Sequence, residues 1–125
     1  MGEKPKYAAS VMVFTLEQNK ALEEAKKLLD ELNPSAIMSI EKAGCNIRGE
    51  YHTMIGVNVT KLHAKAEYII EEARKRGIIT IGIGDGGNEI GMNVIEDYVR
   101  RYVPYGDKCQ CPCGGGSNIY EGGLG

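Results

Sequence analysis

Three acidic side chains occupy positions at which a parallel α/β sheet presents its chemistry. Glu41 ends the apolar run 36 to 40, and Asp85 and Glu89 belong to the turn Gly82-Ile83-Gly84-Asp85-Gly86-Gly87-Asn88-Glu89 that leaves the most β-branched run in the chain. In an open parallel sheet, ligands bind beyond the C-terminal ends of the strands. If the two strands are neighbours, the carboxylates share one crevice. That arrangement suits a divalent cation such as Mg or Mn, or an acid and a base whose pKa values are driven apart. Asp85, Glu89 and Glu41 are therefore the catalytic candidates, and Asp85 and Glu89 the metal candidates. The plain alternative is a Glu41 paired with a surface Lys or Arg.

Other motifs carry less. Gly82, Gly84 and Gly87 satisfy G-x-G-x-x-G between a strand and a helix, but Asp85 and Glu89 stand where a pyrophosphate would lie, and no ribose-binding acid follows about 20 residues on. No nucleotide cofactor is expected. Cys109, Cys111 and Cys113 alternate, so an extended chain would put three sulfurs on one side, yet the C-x-x-C pairs of structural zinc are missing. His52 and His63 have no metal-ligand spacing; His52 is a loop residue and weak candidate base, His63 a helix-face residue.

The elements that must position these groups follow from periodicity. Tyr7 to Phe14 reads as a buried strand, and Thr15 with Gln18 as a capping box opening a helix that Asn33-Pro34 stops. A second strand spans 36 to 40, followed by a long glycine-containing loop from Gly44 to Gly56. Thr60 is the expected cap of a helix running to about Arg76, with Gly77 as its stop. The strand 78 to 83 delivers the glycine turn, and Asn93 with Glu96 caps a last helix that ends before Pro104. Alternating strand and helix predict an α/β fold: a three-layer-like parallel sheet of about three to four strands with crossover helices, forming a single domain over 1–125. Its end, 105–125, is irregular and rich in Cys and Gly.

Composition narrows the function classes. Fifteen Lys and Arg are balanced by 17 Asp and Glu without like-charge blocks, which argues against nucleic-acid or membrane-surface partners. No apolar run reaches the roughly 18 residues of a membrane span, so a cytoplasmic location with reduced thiols is expected. Seventeen glycines, one Phe and no Trp leave aliphatic side chains to build the core.

The run Gly84-Asp85-Gly86-Gly87-Asn88-Glu89-Ile90-Gly91-Met92 resembles the signature of the D-glutamate cyclase family. Ile40-Glu41-Lys42 with Gly44, then Gly49, Tyr51, Met54 and Gly56, and finally Ser117-Asn118, resemble further blocks of that family in the same order, over about 35 to 120. The resemblance implies a hydro-lyase that converts D-glutamate to 5-oxo-D-proline and water, or acts on a related small amino or carboxylic acid. It also implies that Gly86 and Gly87 offer N–H groups to an oxyanion, and that Asn88, Asn118, Ser117 and Tyr51 contact substrate. Cys45 and Ile55 stand where the family carries arginines, removing two natural carboxylate clamps. The alternative is a non-catalytic small-ligand or metal-binding module. The expected partners are a small acid and, since the chain is shorter than the family's full-length members, a second copy or a chain supplying an N-terminal half.

Overall fold

In the computed structural model, which describes residues 9–104 and 119–120, two five-residue strands lie parallel and helices connect them. Helix α1 (Gln18–Leu32) leads to β1 (Ala36–Ile40), α2 (Glu67–Lys75) leads to β2 (Ile79–Ile83), and α3 (Glu96–Tyr102) follows the glycine turn. β1 pairs with β2 in register from Ala36 opposite Ile79 to Ile40 opposite Ile83. A two-residue piece, β3 (Ile119–Tyr120), pairs with β2 on its other side. The class is thus α/β with a small parallel sheet, built on two full strands.

The helices obey their apolar spacing. Ala21, Ala25 and Leu29 of α1 are buried, as are Ile70 and Ala73 of α2, and the two helices pack together. Small residues along this seam let the backbones approach closely, and Arg76 bonds Asp30 of α1 at 2.7 Å and Glu72 of α2 at 3.0 Å across its end. α2 in turn packs on β2. Side chains alternate across the sheet: Ser39, Thr80 and Gly82 are buried, while Met38, Ile40 and Ile79 are exposed.

Several sequence expectations are corrected here. Residues 9–14 form no strand, and Val11 and Val13 are 96% and 97% exposed. The end of this segment is tethered elsewhere: Thr15 N–H donates to Glu24 of α1, and its carbonyl accepts from Lys65 N–H, so Met12 to Phe14 run beside α1. The Thr15 hydroxyl accepts from Glu17 N–H at 3.0 Å, a local turn rather than a capping box, and α1 begins without a side-chain cap. Its end is as expected, with Asn33 left-handed at φ 43 and its N–H on Leu29 O.

Thr60 does not open α2 either. Its hydroxyl donates to Asn58 Oδ1 at 2.7 Å and accepts from Tyr51 N–H at 3.0 Å, leaving one short 3-10 turn, Thr60–Leu62, before the chain restarts at Glu67. The break turns Lys65 inward. Likewise the segment after Gly91 begins as a 3-10 turn, Met92–Ile95, without a side-chain cap from Asn93. The long loop is ordered: Asn46 Oδ1 accepts from Arg48 and Glu50 N–H, and bridges join Cys45 to Tyr51 and His52 to Asn58.

Candidate functional site

The two turns that follow β1 and β2 are stitched together. Glu41 N–H donates to Ile83 O at 2.8 Å, extending the parallel ladder by one residue, and the chain then reverses its pairing. Gly44 N–H donates to Asn88 O, and Ile90 N–H to Lys42 O, both at 2.9 Å, with Ala43 bridged to Glu89. Glu41 takes a left-handed backbone, φ 50, to make this change. Such a conformation costs a non-glycine residue about 1 to 2 kcal/mol and persists only where its surroundings enforce it.

The stitching gathers the three candidate carboxylates. One oxygen each from Glu41, Asp85 and Glu89 lies within 4.8 Å of the others, close enough for small side-chain shifts to bring them onto one cation. Glu89 is 5% exposed and folds back over its own turn, where Oε1 accepts from Gly86 N–H at 2.7 Å and from Asp85 N–H at 3.3 Å. Its Oε2 is buried with no hydrogen-bond partner among the described residues. Glu41 and Asp85 are exposed at the rim. Partial desolvation and the neighbouring Asp85 and Glu89 charges hold the Glu41 carboxyl above its usual range. A hard cation at this point would relieve that repulsion and satisfy the orphaned oxygen, and an all-carboxylate donor set is the kind that Mg and Mn accept.

The glycines of the turn have separate reasons. A Cβ on Gly84 would stand 2.6 Å from Glu89 Cγ and 2.7 Å from its Cβ, so only glycine lets this carboxylate fold inward. Gly87 has φ +85, and a Cβ there would meet Val99 at 3.0 Å, which sets α3 against the turn.

A cavity of about 280 Å³ opens over the carboxylates, lined on the turn side by Asp85, Gly86, Asn88 and Glu89 and on the loop side by residues including His52, Met54 and His63. Gly86 N–H, assigned to an oxyanion from the sequence, is here engaged by Glu89; Gly87 faces Val99 and Val103. Asn88 donates through Nδ2 to His52 O at 2.7 Å, tying the long loop to the turn. Tyr51 is 1% exposed and does not line the cavity; its hydroxyl donates to Glu67. Ser117, Asn118 and the three clustered cysteines lie outside the described residues. His63 lines the cavity although its sequence context suggested only a helix face. The signal that could have located it is the loop itself, because the return from Tyr51 to Val59 brings 60 to 63 back beside the turn.

Behind His63 lies a buried group of titratable side chains. Lys65, 4% exposed, donates through Nζ to Thr60 O at 2.6 Å and His63 O at 3.0 Å, and sits 4.3 Å over the Tyr51 ring. Burial, reinforced by Glu67 and Glu71, pushes the Cys45 thiol up to about 11, so it is an inert thiol near neutrality. Burial likewise raises the Glu67 carboxyl from 4.5 to about 7. The folded protein therefore keeps a proton that the unfolded chain releases near 4.5. Stability from this group is complete below that pH and is lost as pH rises through about 7. At 1.36 kcal/mol per pKa unit the decline reaches about 3 kcal/mol. Glu67→Gln, neutral at every pH, is expected to flatten it, as urea unfolding at about pH 5 and about pH 8 would measure.

No helix among the described residues is long and apolar enough to cross a membrane. The human protein named D-glutamate cyclase, mitochondrial, is 36% identical over 76 residues, which make up 60% of this chain and 12% of that protein. The match thus involves a small part of a much longer relative. Residues 3–120 match the family described as D-glutamate cyclase-like, C-terminal, and the chain belongs to that family.

Proposed function

We propose that this chain provides the acidic site of a hydro-lyase-type enzyme that closes D-glutamate, or a closely related small amino acid, into its lactam with loss of water, in the cytoplasm. The observation that carries this reading is the buried, unpartnered Glu89 Oε2 beside the carboxylates of Glu41 and Asp85. Those three residues would hold a divalent cation, Mg or Mn. When bound, it would offset the negative charge of the substrate's γ-carboxylate, which is otherwise a poor electrophile. The protein's own groups do the rest. The acidic rim attracts the substrate's ammonium, the cavity orients it, and the tie from Asn88 to His52 O holds the loop over the turn. Because Glu89 occupies the N–H groups of Asp85 and Gly86, a pyrophosphate has no such donors to use, which weighs against a dinucleotide.

A second reading is favoured by the 12% coverage of the human relative: a binding module that acts only with further sequence. Incubation of the chain with D-glutamate and Mn or Mg separates the two. Product 5-oxoproline that disappears in Asp85→Asn supports the enzyme, and its absence under both metals supports the module.

A further inference from the structure

We infer that His63 is the general base of this site, the group that takes a proton from the substrate's α-ammonium so that the freed amine can attack the γ-carboxyl carbon. The inference rests on the reading proposed above and assigns a role that the three carboxylates cannot fill, since carboxylates committed to a cation are poor proton acceptors.

His63 lines the same cavity as Glu41, Asp85 and Glu89, and is carried there by the loop. Its position is built rather than incidental. The ring rests on the Tyr51 ring with centroids 5.5 Å apart and an interplanar angle of 33°. Tyr51 is anchored by its hydroxyl bond to Glu67, and the His63 carbonyl is gripped by Lys65 Nζ at 3.0 Å. The 3-10 turn just before it is fastened by the same lysine through Thr60 O.

The charged groups around it favour the basic form. Burial, then the ammonium groups of Lys42 and Lys65, hold the His63 imidazole below its usual range, so it is neutral and able to accept a proton. The carboxylates of Glu41, Asp85 and Glu89 and the ring of His52 share the cavity. His52 is less suited, because its strand-like segment is bridged to Asn58 and its carbonyl is held by Asn88.

The proton count closes without another reagent. His63 accepts one ammonium proton, and the nitrogen lone pair forms the C–N bond at the γ-carboxyl carbon. The C–O bond then breaks, and the departing oxygen takes the second nitrogen proton and the one stored on His63. The products are the lactam and water, with the imidazole neutral again.

The test uses the full chain with Mn and D-glutamate. His63→Gln is expected to lower kcat by about 100- to 1000-fold while Mn and D-glutamate affinities stay within about threefold. His63→Gly is expected to regain turnover on addition of imidazole, saturably, which a merely structural role would not allow. The assignment is overturned if His63→Gln keeps more than about a third of kcat, loses Mn affinity, or if imidazole fails to restore His63→Gly. If the parent chain itself yields no 5-oxoproline, the enzyme reading falls and this assignment with it, an outcome separable from the others by the parent's own turnover.

Discussion

Glu89→Gln is expected to abolish the response of the fold to divalent cations. In the parent chain, Mn at about 100 times its dissociation constant should raise stability by about 2.7 kcal/mol, because the cation binds the folded site and not the unfolded chain. The variant keeps an oxygen for the N–H groups of Gly86 and Asp85, so the turn should survive. It replaces the buried, unpartnered Oε2 by an amide nitrogen, which donates hydrogen bonds and cannot ligate. Affinity should therefore drop by more than the about 10- to 100-fold that loss of an outer-shell partner costs. Without cation the sign reverses: removing one charge from three within 4.8 Å should leave the apo variant at least as stable as the parent. Thermal unfolding of both proteins with and without Mn reads all four states. An unchanged Mn-induced shift in the variant would remove the metal site from consideration.

Gly84→Ala should be the most damaging single methyl in the turn. The added Cβ would overlap Glu89 at its Cβ and Cγ, atoms fixed close to the backbone, so the whole side chain must leave its place over Gly86 N–H. Overpacking of this kind costs about 1 to 3 kcal/mol, and here it also dismantles the carboxylate cluster. Gly86→Ala provides the control. Its Cβ would meet Asn88 Oδ1 at 2.8 Å and Glu89 Oε1 at 2.9 Å, the far ends of side chains that can shift. Urea unfolding and Mn titration should rank Gly84→Ala well below Gly86→Ala on both readouts. Equal losses would mean that the inward fold of Glu89 is not what the turn is built for.

What sequence alone determined follows from short-range chemistry. The runs 36 to 40 and 78 to 83 read as strands, and strands form at Ala36–Ile40 and Ile79–Ile83, because short apolar runs with β-branched residues, set off by Pro34 and by Gly77 and Gly84, favour extended backbone. Helix α1 and its stop at Asn33 were equally visible, though not the left-handed conformation that Asn33 adopts. The acidic turn was legible for the same reason, since glycines pressed around Asp85 and Glu89 have few other uses, and Glu41 followed from its place at the end of a strand.

Tertiary structure decided the rest. Val11 and Val13 carry strand-forming side chains, but a strand exists only when another strand accepts its hydrogen bonds, and the tether of Thr15 to Glu24 and Lys65 leads that segment along α1. Thr60 and Asn93 looked like helix caps, yet a hydroxyl or amide caps only if no better partner is near, and Thr60 finds Tyr51 and Asn58. His63 entered the site through the return of a long loop, which brings it beside three carboxylates each more than 20 residues away in sequence, a meeting that no local pattern encodes. The meeting of Glu41 with Glu89 depends on the reversal that bonds Gly44 to Asn88 and Ile90 to Lys42, long-range pairings that local propensity cannot specify.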